Sequence, residues 1–280
     1  MELQPYFGDL HIHSRRSDGS LKPEEIFQEA GKAYLDFVAL ADHDLRPYQL
    51  EFSTVLSIPA TEFSLGHHWH MVAIGENLPG TPDKADEVPD WSHELHVRGG
   101  ILILAHPWTV SQRPSALEAV ERWLSQGVID GIELLNTSVE PSQRDAWLEM
   151  FRLYRTVWAN YQPAIIGGSD YHHFRHGRQI GLGCTYIFAE NLTVTSIIRA
   201  IKMRQTVASV PQGGELWAEW FQWLNLFVPH GELGVGPPHM LSRLAKFKRL
   251  AENCHSIEAV QALYAGNYRY AVYIEEKGRQ

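Results

Sequence analysis

Histidines and carboxylates recur in this sequence at places where apolar runs stop, and these are the side chains that hold divalent metals. The first case is His11-Ile12-His13, which closes the apolar stretch beginning at Tyr6. Successive side chains of a strand point to opposite faces, so two imidazoles two residues apart project together and can grip one ion, with Asp9 expected on the same face. Ser17-Asp18-Gly19 then reads as a turn that could return the Asp18 carboxylate over the strand end. Further along, Asp42-His43-Asp44 follows Phe37 to Ala41, Glu62 follows the run ending at Ala60, and His70 precedes Met71-Val72-Ala73-Ile74-Gly75. His106 follows the run Ile101 to Ala105, and Asp170-Tyr171-His172 follows Gly167-Gly168. Such groups are costly to bury unless paired or bound to a cation. Any one of them could be a solvated turn, but several separate strand ends offering His, Asp or Glu are hard to produce that way. Imidazole and carboxylate donors without cysteine suit Zn²⁺, Mn²⁺ or Fe²⁺ better than Ca²⁺ or a soft-metal site.

Some neighbours compete for these roles. His67 and His68 lie beside His70, and parity does not separate His68 from His70; the distance to Gly75 favours His70. His173 and His176 lie beside His172, which the spacing from Asp170 favours, while His93, His96, His230, His239 and His255 fall outside any strand-end pattern. Asp9 and Asp42 are candidates to orient ligand imidazoles, with an ordinary turn or cap role as the alternative. Arg15, Arg16, Arg175 and Arg178 stand close to proposed ligands and could grip a phosphate oxygen, although solvated loop arginine is the commoner case. Glu133 and Asn136 could line the pocket and are given no role.

The elements that must position these residues alternate short apolar runs with helical patterns through about residue 210, the signature of βα units and a mainly parallel sheet or barrel. Strands are expected at Tyr6–His13, Phe37–Ala41, Thr54–Ala60, Met71–Ile74, Ile101–Ala105, Ile129–Leu135, Ala164–Gly168 and Gly181–Phe188. Pro23 suits the first turn of a helix containing Ile26, Phe27, Ala30 and Ala33. Other helices are expected toward Arg98, over Ala116–Leu124, from about Gln143 to Tyr161 and over Val194–Met203. In α/β barrels chemistry gathers where strands end and loops begin, which is where the titratable residues lie. From about Gln212 the pattern changes to Trp217, Trp220, Phe221, Leu224 and Val228 at helical spacing, read as an appendage packed on the barrel, with a lid or dimer surface as the alternative.

Composition sets the remaining bounds. The 280 residues, 44% hydrophobic and 20% charged, suit one barrel domain (1–210) with a mainly helical appendage (211–280). No apolar run reaches membrane-spanning length and no leader pattern opens the sequence, so a cytoplasmic location and no membrane partner are expected. Cys184 and Cys254 are the only cysteines and form no C-x-x-C pair, which excludes zinc-finger and disulfide frameworks. A formal charge of −9 disfavours a broad nucleic-acid face. Three divalent cations at Asp18, Glu62 and Asp170 would add +6 to that −9 and leave −3, with a locally positive site able to attract a phosphate.

The sequence resembles the polymerase and histidinol phosphatase (PHP) superfamily of metal-dependent phosphoesterases. The resemblance rests on Asp9-Leu10-His11-Ile12-His13-Ser14, Ser17-Asp18-Gly19, Asp42-His43, Thr61-Glu62, His70, Ala105-His106-Pro107 and Ser169-Asp170-Tyr171-His172. It covers about residues 6 to 172 and does not extend to those from about 212 onward. The resemblance implies an α/β fold, a distorted seven-stranded (β/α) barrel holding two or three divalent ions. By position, His11, His13, Glu62 and Asp170 would hold the first metal, Asp18, His43 and His172 the second, and Glu62, His70 and His106 the third, with Glu62 bridging. Position 18 is Asp where some relatives have His. The implied activity is hydrolysis of a phosphate ester by metal-activated hydroxide, on a small phosphomonoester or on a nucleotide or short oligonucleotide diester. An amidohydrolase with the same site, and a catalytically silent regulatory or binding module, are the alternatives.

Overall fold

The first apolar run of the sequence becomes β1 (Gln4–Ile12), from which an 11-stranded sheet extends in both directions. On one side follow β2 (Phe37–Leu40), β3 (Leu56–Leu65), β4 (Trp69–Ile74), β5 (Ile101–Leu104), β6 (Gly131–Asn136) and β7 (Ala164–Gly168), in sequence order. On the other side lie β8 (Cys184–Ala189), β9 (Thr206–Ser209), β11 (Gly234–Val235) and β10 (His230–Gly231), each antiparallel to its neighbour. The computed structural model describes residues 2–51, 53–65, 69–107, 114–138, 148, 151–155, 157–173, 179–210, 230–231 and 234–278. His67, His68, Arg175, His176, Arg178 and the Trp217–Val228 stripe lie outside them.

Strands β1 to β7 curl into a nearly closed barrel. The segment after β7 returns to the end of β1, where Ile12 and Tyr171 form a parallel bridge and the His13 N–H donates to the Tyr171 carbonyl at 2.9 Å. All neighbours from β1 to β7 pair in parallel except around β4, which is antiparallel to both β3 and β5. The start of β4 therefore lies at the same end of the barrel as the carboxyl ends of the other six. This explains why His70 precedes its apolar run while the other candidates follow theirs.

The barrel interior is one apolar cluster that includes Leu10, Ala39, Ile58, Val72, Ile103 and Ile166, with Ile197 and Ile201 of the helix Val194–Lys202 packed against it. A second cluster, around Phe63, Trp91, Trp123 and Trp158, joins helices Val88–Val97 and Pro114–Ser125 to the outer wall. A third joins α1 (Pro23–Lys32), whose Pro23 is at the first helical position, to three C-terminal helices, Pro238–Ala251, Ile257–Ala265 and Tyr268–Gly278. Among the described residues no helix is long and apolar enough to cross a membrane. Both cysteines are buried and unbonded to each other.

Three sequence expectations need correction. First, β3 runs to Leu65 instead of stopping at Ala60, because Thr61 to Leu65 pair with Trp69 to Ala73 in a hairpin. Polar Thr61, Glu62 and Ser64 looked like a strand end. Second, β9 follows the helix after β8 where the sequence predicts no strand: the four residues Thr-Val-Ala-Ser carry too little pattern to announce one.

The third correction concerns Asp9. The β1–β2 register slips between Asp9 and Ile12, a β-bulge. Before it, Leu10 packs inside the barrel with Tyr6; after it, Ile12 packs outside with Phe7, a residue of the opposite parity. A bulge flips which side chains face inward. His11 and His13 consequently face the barrel interior, whereas Asp9 faces the other way and binds main-chain N–H groups of Ser169 and Gly181 at 3.0 and 3.2 Å.

Candidate metal centre

All nine candidate residues converge at the carboxyl end of the barrel, eight of them in three overlapping groups and the ninth, His106, against Glu62. His11, His13, Glu62 and Asp170 offer ligand atoms that all lie within 4.8 Å of one another; so do His13, Asp18, His43 and His172, and so do His43, Glu62 and His70. Glu62 sits at the junction. Its Oε2 faces His11, His13 and His43 ring nitrogens at 3.2, 3.1 and 3.3 Å, and its Oε1 faces His70 Nδ1 and His106 Nε2, both at 3.0 Å. The structure thus adds His43 to the surroundings of the third group and His13 to those of the second.

The spacing in the first group fits a cation. His11 Nε2 and His13 Nε2 lie 3.1 Å apart, and each is 3.1 to 3.5 Å from Glu62 Oε2 and Asp170 Oδ1. Donors held about 2.1 Å from one tetrahedral ion stand about 3.4 Å from each other. The donor chemistry agrees: His13 Nδ1, His43 Nδ1 and Glu62 Oε2 are buried with no hydrogen-bond partner among the described residues, a costly arrangement for polar atoms with no ion to meet.

Electrostatics point the same way. Burial would lower the His11 imidazole, yet Glu62, Glu133 and Asp170 hold it well above its ordinary value. His13 is raised to about 9 against its burial by the facing Asp170 and Glu62 carboxylates. Burial would raise the Glu62 and Asp170 carboxyls, but the facing His11 and the other imidazoles keep both depressed. His43 and His172 are lowered by burial, and the charge of His13 adds to this in both. The centre is a pocket of negative charge that demands positive charge, which protons on His11 and His13 supply when no metal is bound.

Local backbone explains how short strand ends deliver these side chains. His106, Asp170 and Asp44 have φ of +24°, +49° and +50°, values that non-glycine residues rarely adopt. Each has its N–H tied to the site's frame: His106 to Glu133 Oε2 at 2.9 Å, Asp170 to the His11 carbonyl at 2.8 Å, Asp44 to the Glu62 carbonyl at 2.9 Å. Asp18 arrives on a turn folded against β1, where the Gly19 N–H donates to the Ser14 carbonyl at 2.9 Å. A Cβ at position 19 would lie 2.1 Å from the His13 carbonyl oxygen, so only glycine permits that approach.

Of the two carboxylates expected to orient imidazoles, neither touches one. Asp9 binds main chain, and Asp42 accepts the Ser14 N–H at 2.7 Å and the Ser14 and Ser17 hydroxyls at 2.8 and 3.0 Å, bracing the turn that carries Asp18. The carboxylate beside His11 Nδ1 is Glu133, at 3.2 Å. Its signal in the sequence was a charged residue inside the apolar run Ile129 to Leu135. Arg15 donates to the Ser20 carbonyl, and Arg16 reaches Asp42, the Arg46 carbonyl and the face of Tyr48.

No family model matches the chain. A 5'-3' exoribonuclease, Rnm, of Escherichia coli (strain K12) is 25% identical over 157 residues, 52% of this chain and 53% of that protein, so the chain spans about half the length of the curated relative it matches. The crystal structure of a two-domain protein containing a predicted PHP-like metal-dependent phosphoesterase, from Bacteroides vulgatus ATCC 8482, superposes with a TM-score of 0.55 at 20% identity. It covers 83% of this chain and 74% of that one. The likeness shows the fold, a nearly closed α/β barrel.

Proposed function

We propose, from a PHP-type barrel with this centre at its carboxyl end, that the chain is a metal-dependent phosphoesterase. The observation that carries the reading is the gathering of nine His, Asp and Glu side chains around Glu62, whose carboxylate five imidazoles face, with first-group spacing that suits a tetrahedral ion. His11, His13, Glu62 and Asp170 would hold one ion, Asp18, His43 and His172 a second, and Glu62, His70 and His106 a third. Divalent Zn, Mn or Fe would there neutralise phosphoryl oxygens and lower the pKa of bound water toward neutrality.

The chain's own residues set where a substrate enters. Glu62 is 1% exposed, whereas the side chains of His172, His43, His70 and Asp18 are 22%, 26%, 31% and 53% exposed. The second and third groups therefore face solvent and would meet the phosphate first, with the first group behind them. In this reading residues 1–210 form the hydrolase barrel and 211–280 an appendage packed on it. The substrate is small and phosphorylated, a monoester or a nucleotide or short oligonucleotide diester. The exoribonuclease activity of the E. coli relative makes short RNA the first substrate to assay.

The test is a panel of phosphomonoesters, cyclic and linear diesters, short RNA and amides, assayed with added Mn²⁺, Zn²⁺ or Fe²⁺. We expect metal-dependent phosphate release or diester cleavage that Glu62→Ala abolishes. No activity above that of Glu62→Ala under all three metals would sink the proposal, and hydrolysis of amides alone would replace it with the amidohydrolase reading.

A further inference from the structure

At the end of β6, a second register slip, between Glu133 and Leu135, turns two side chains of opposite parity, Glu133 and Asn136, toward the same centre. Glu133 is buried, and its neighbours all belong to the frame of the site. Oε1 lies 3.2 Å from His11 Nδ1, while Oε2 accepts the His106 main-chain N–H at 2.9 Å and Asn136 Nδ2 at 3.0 Å. His11 belongs to the first donor group, and His106 lies against Glu62 in the third.

We propose that Glu133 is a positioning residue shared by two ion sites, fixing the ring of His11 and the main chain of His106 with one carboxylate. The inference rests on the metal reading above and not on the bond that is hydrolysed. An N–H on His11 Nδ1 directed at Glu133 leaves the Nε2 lone pair aimed at His13, Glu62 and Asp170, the orientation a metal ligand needs. The His106 N–H bond to Glu133 pins a residue whose φ of +24° is otherwise unfavourable. Asn136 extends the frame. With Ser138 it occupies Asp170 Oδ2, at 3.3 and 2.7 Å, which leaves Oδ1 facing His11 and His13.

The partners dictate the test, because all three present donors to Glu133, and only a group that accepts at both oxygens satisfies them. Glu133→Gln keeps the shape but carries an amide NH₂. In one flip that NH₂ meets the His106 N–H and the Asn136 amide. In the other it meets His11 Nδ1 and forces the tautomer whose Nε2–H points into the donor cluster.

Apoprotein of the full chain and of Glu133→Gln is titrated with Zn²⁺ against a chromophoric chelator, and the melting temperature of each metal-free protein is recorded. We expect about 10- to 100-fold weaker affinity at two sites in the variant, whose metal-free form still shows a cooperative melting transition. If Glu133→Gln does not fold, Asn136→Ala, which removes one donor from Glu133 and one from Asp170, is expected to weaken binding about tenfold. A parent that binds Zn²⁺ while the folded variant binds it equally well overturns this inference alone. Loss at one site only overturns the shared role. A parent that takes up no metal overturns the metal reading and this inference with it.

Discussion

At the scale of single residues, the proposed metal centre would exchange protons for cations. Burial would lower the His13 imidazole, but Asp170 and Glu62 raise it to about 9 in the metal-free protein. A pKa above the unfolded value of about 6.5 contributes stability that is full below that pH and lost as pH rises through about 9. A ligating imidazole must be neutral, so an ion takes over the stabilising role as the proton leaves. The gain in melting temperature on adding Zn²⁺ should therefore be larger at pH 9 than at pH 6.5, measured at constant free metal. An equal or smaller gain at pH 9 would refute this. The nine converging residues were legible because a carboxylate or imidazole stands out at the end of an apolar run. Glu133 takes no role from the sequence, because strand parity shows a side chain's face, not its partner. Strand parity puts Asp9 on the wrong face, because nothing in Asp9-Leu10-His11 announces a bulge.

At the scale of elements, the site depends on close approach between strands. Gly168 ends β7, and a Cβ there would lie 2.2 Å from Glu133 Oε1 and 2.8 Å from His11 Cβ. Neither neighbour can retreat without leaving its place in the donor frame. Gly168→Ala is accordingly expected to weaken Zn²⁺ affinity about tenfold or more, as loss of an orienting partner does. Chelator competition checks this, and wild-type affinity in the variant would show that the frame yields freely. The parallel strands could be read from the sequence because each is a continuous apolar run, whereas β9 and the full length of β3 could not. A strand crossing a polar site breaks the pattern by which strands are recognised, so the element richest in function is the hardest to delimit.

At the scale of the whole molecule, the C-terminal helices are tied to the barrel end remote from the metal centre. The Asp36 carboxylate, just before β2, accepts the Phe7 N–H at 2.8 Å and Asn267 Nδ2 at 3.1 Å, and pairs with Arg269, whose guanidinium lies over Tyr6. The Tyr186 hydroxyl donates to the Gly266 carbonyl at 2.6 Å. Asp36→Ala would leave Arg269 and Asn267 without this shared acceptor and is expected to cost about 3 kcal/mol of stability. Urea denaturation measures it, with Zn²⁺ affinity unchanged; a loss under about 1 kcal/mol would mean that the joint contributes no more than a surface pair. The helical pattern of the last 40 or so residues could be read from the sequence, but their seat could not, because Asp36, Asn267 and Arg269 look like ordinary loop and helix polar residues until the chain is folded.

The direction of β4 also orders the assembly of the centre. Glu62 and His70 face each other across one hairpin, eight residues apart along the chain. The contact between Ser169 and the His11 carbonyl that brings the last donors to β1 spans 158 residues. Closing a long loop costs more chain entropy than closing a short one and slows the search for native contacts. The third group is thus half built as soon as a local hairpin forms, whereas the first is complete only when the barrel shuts, and occupancy of that ion site would report the final act of folding.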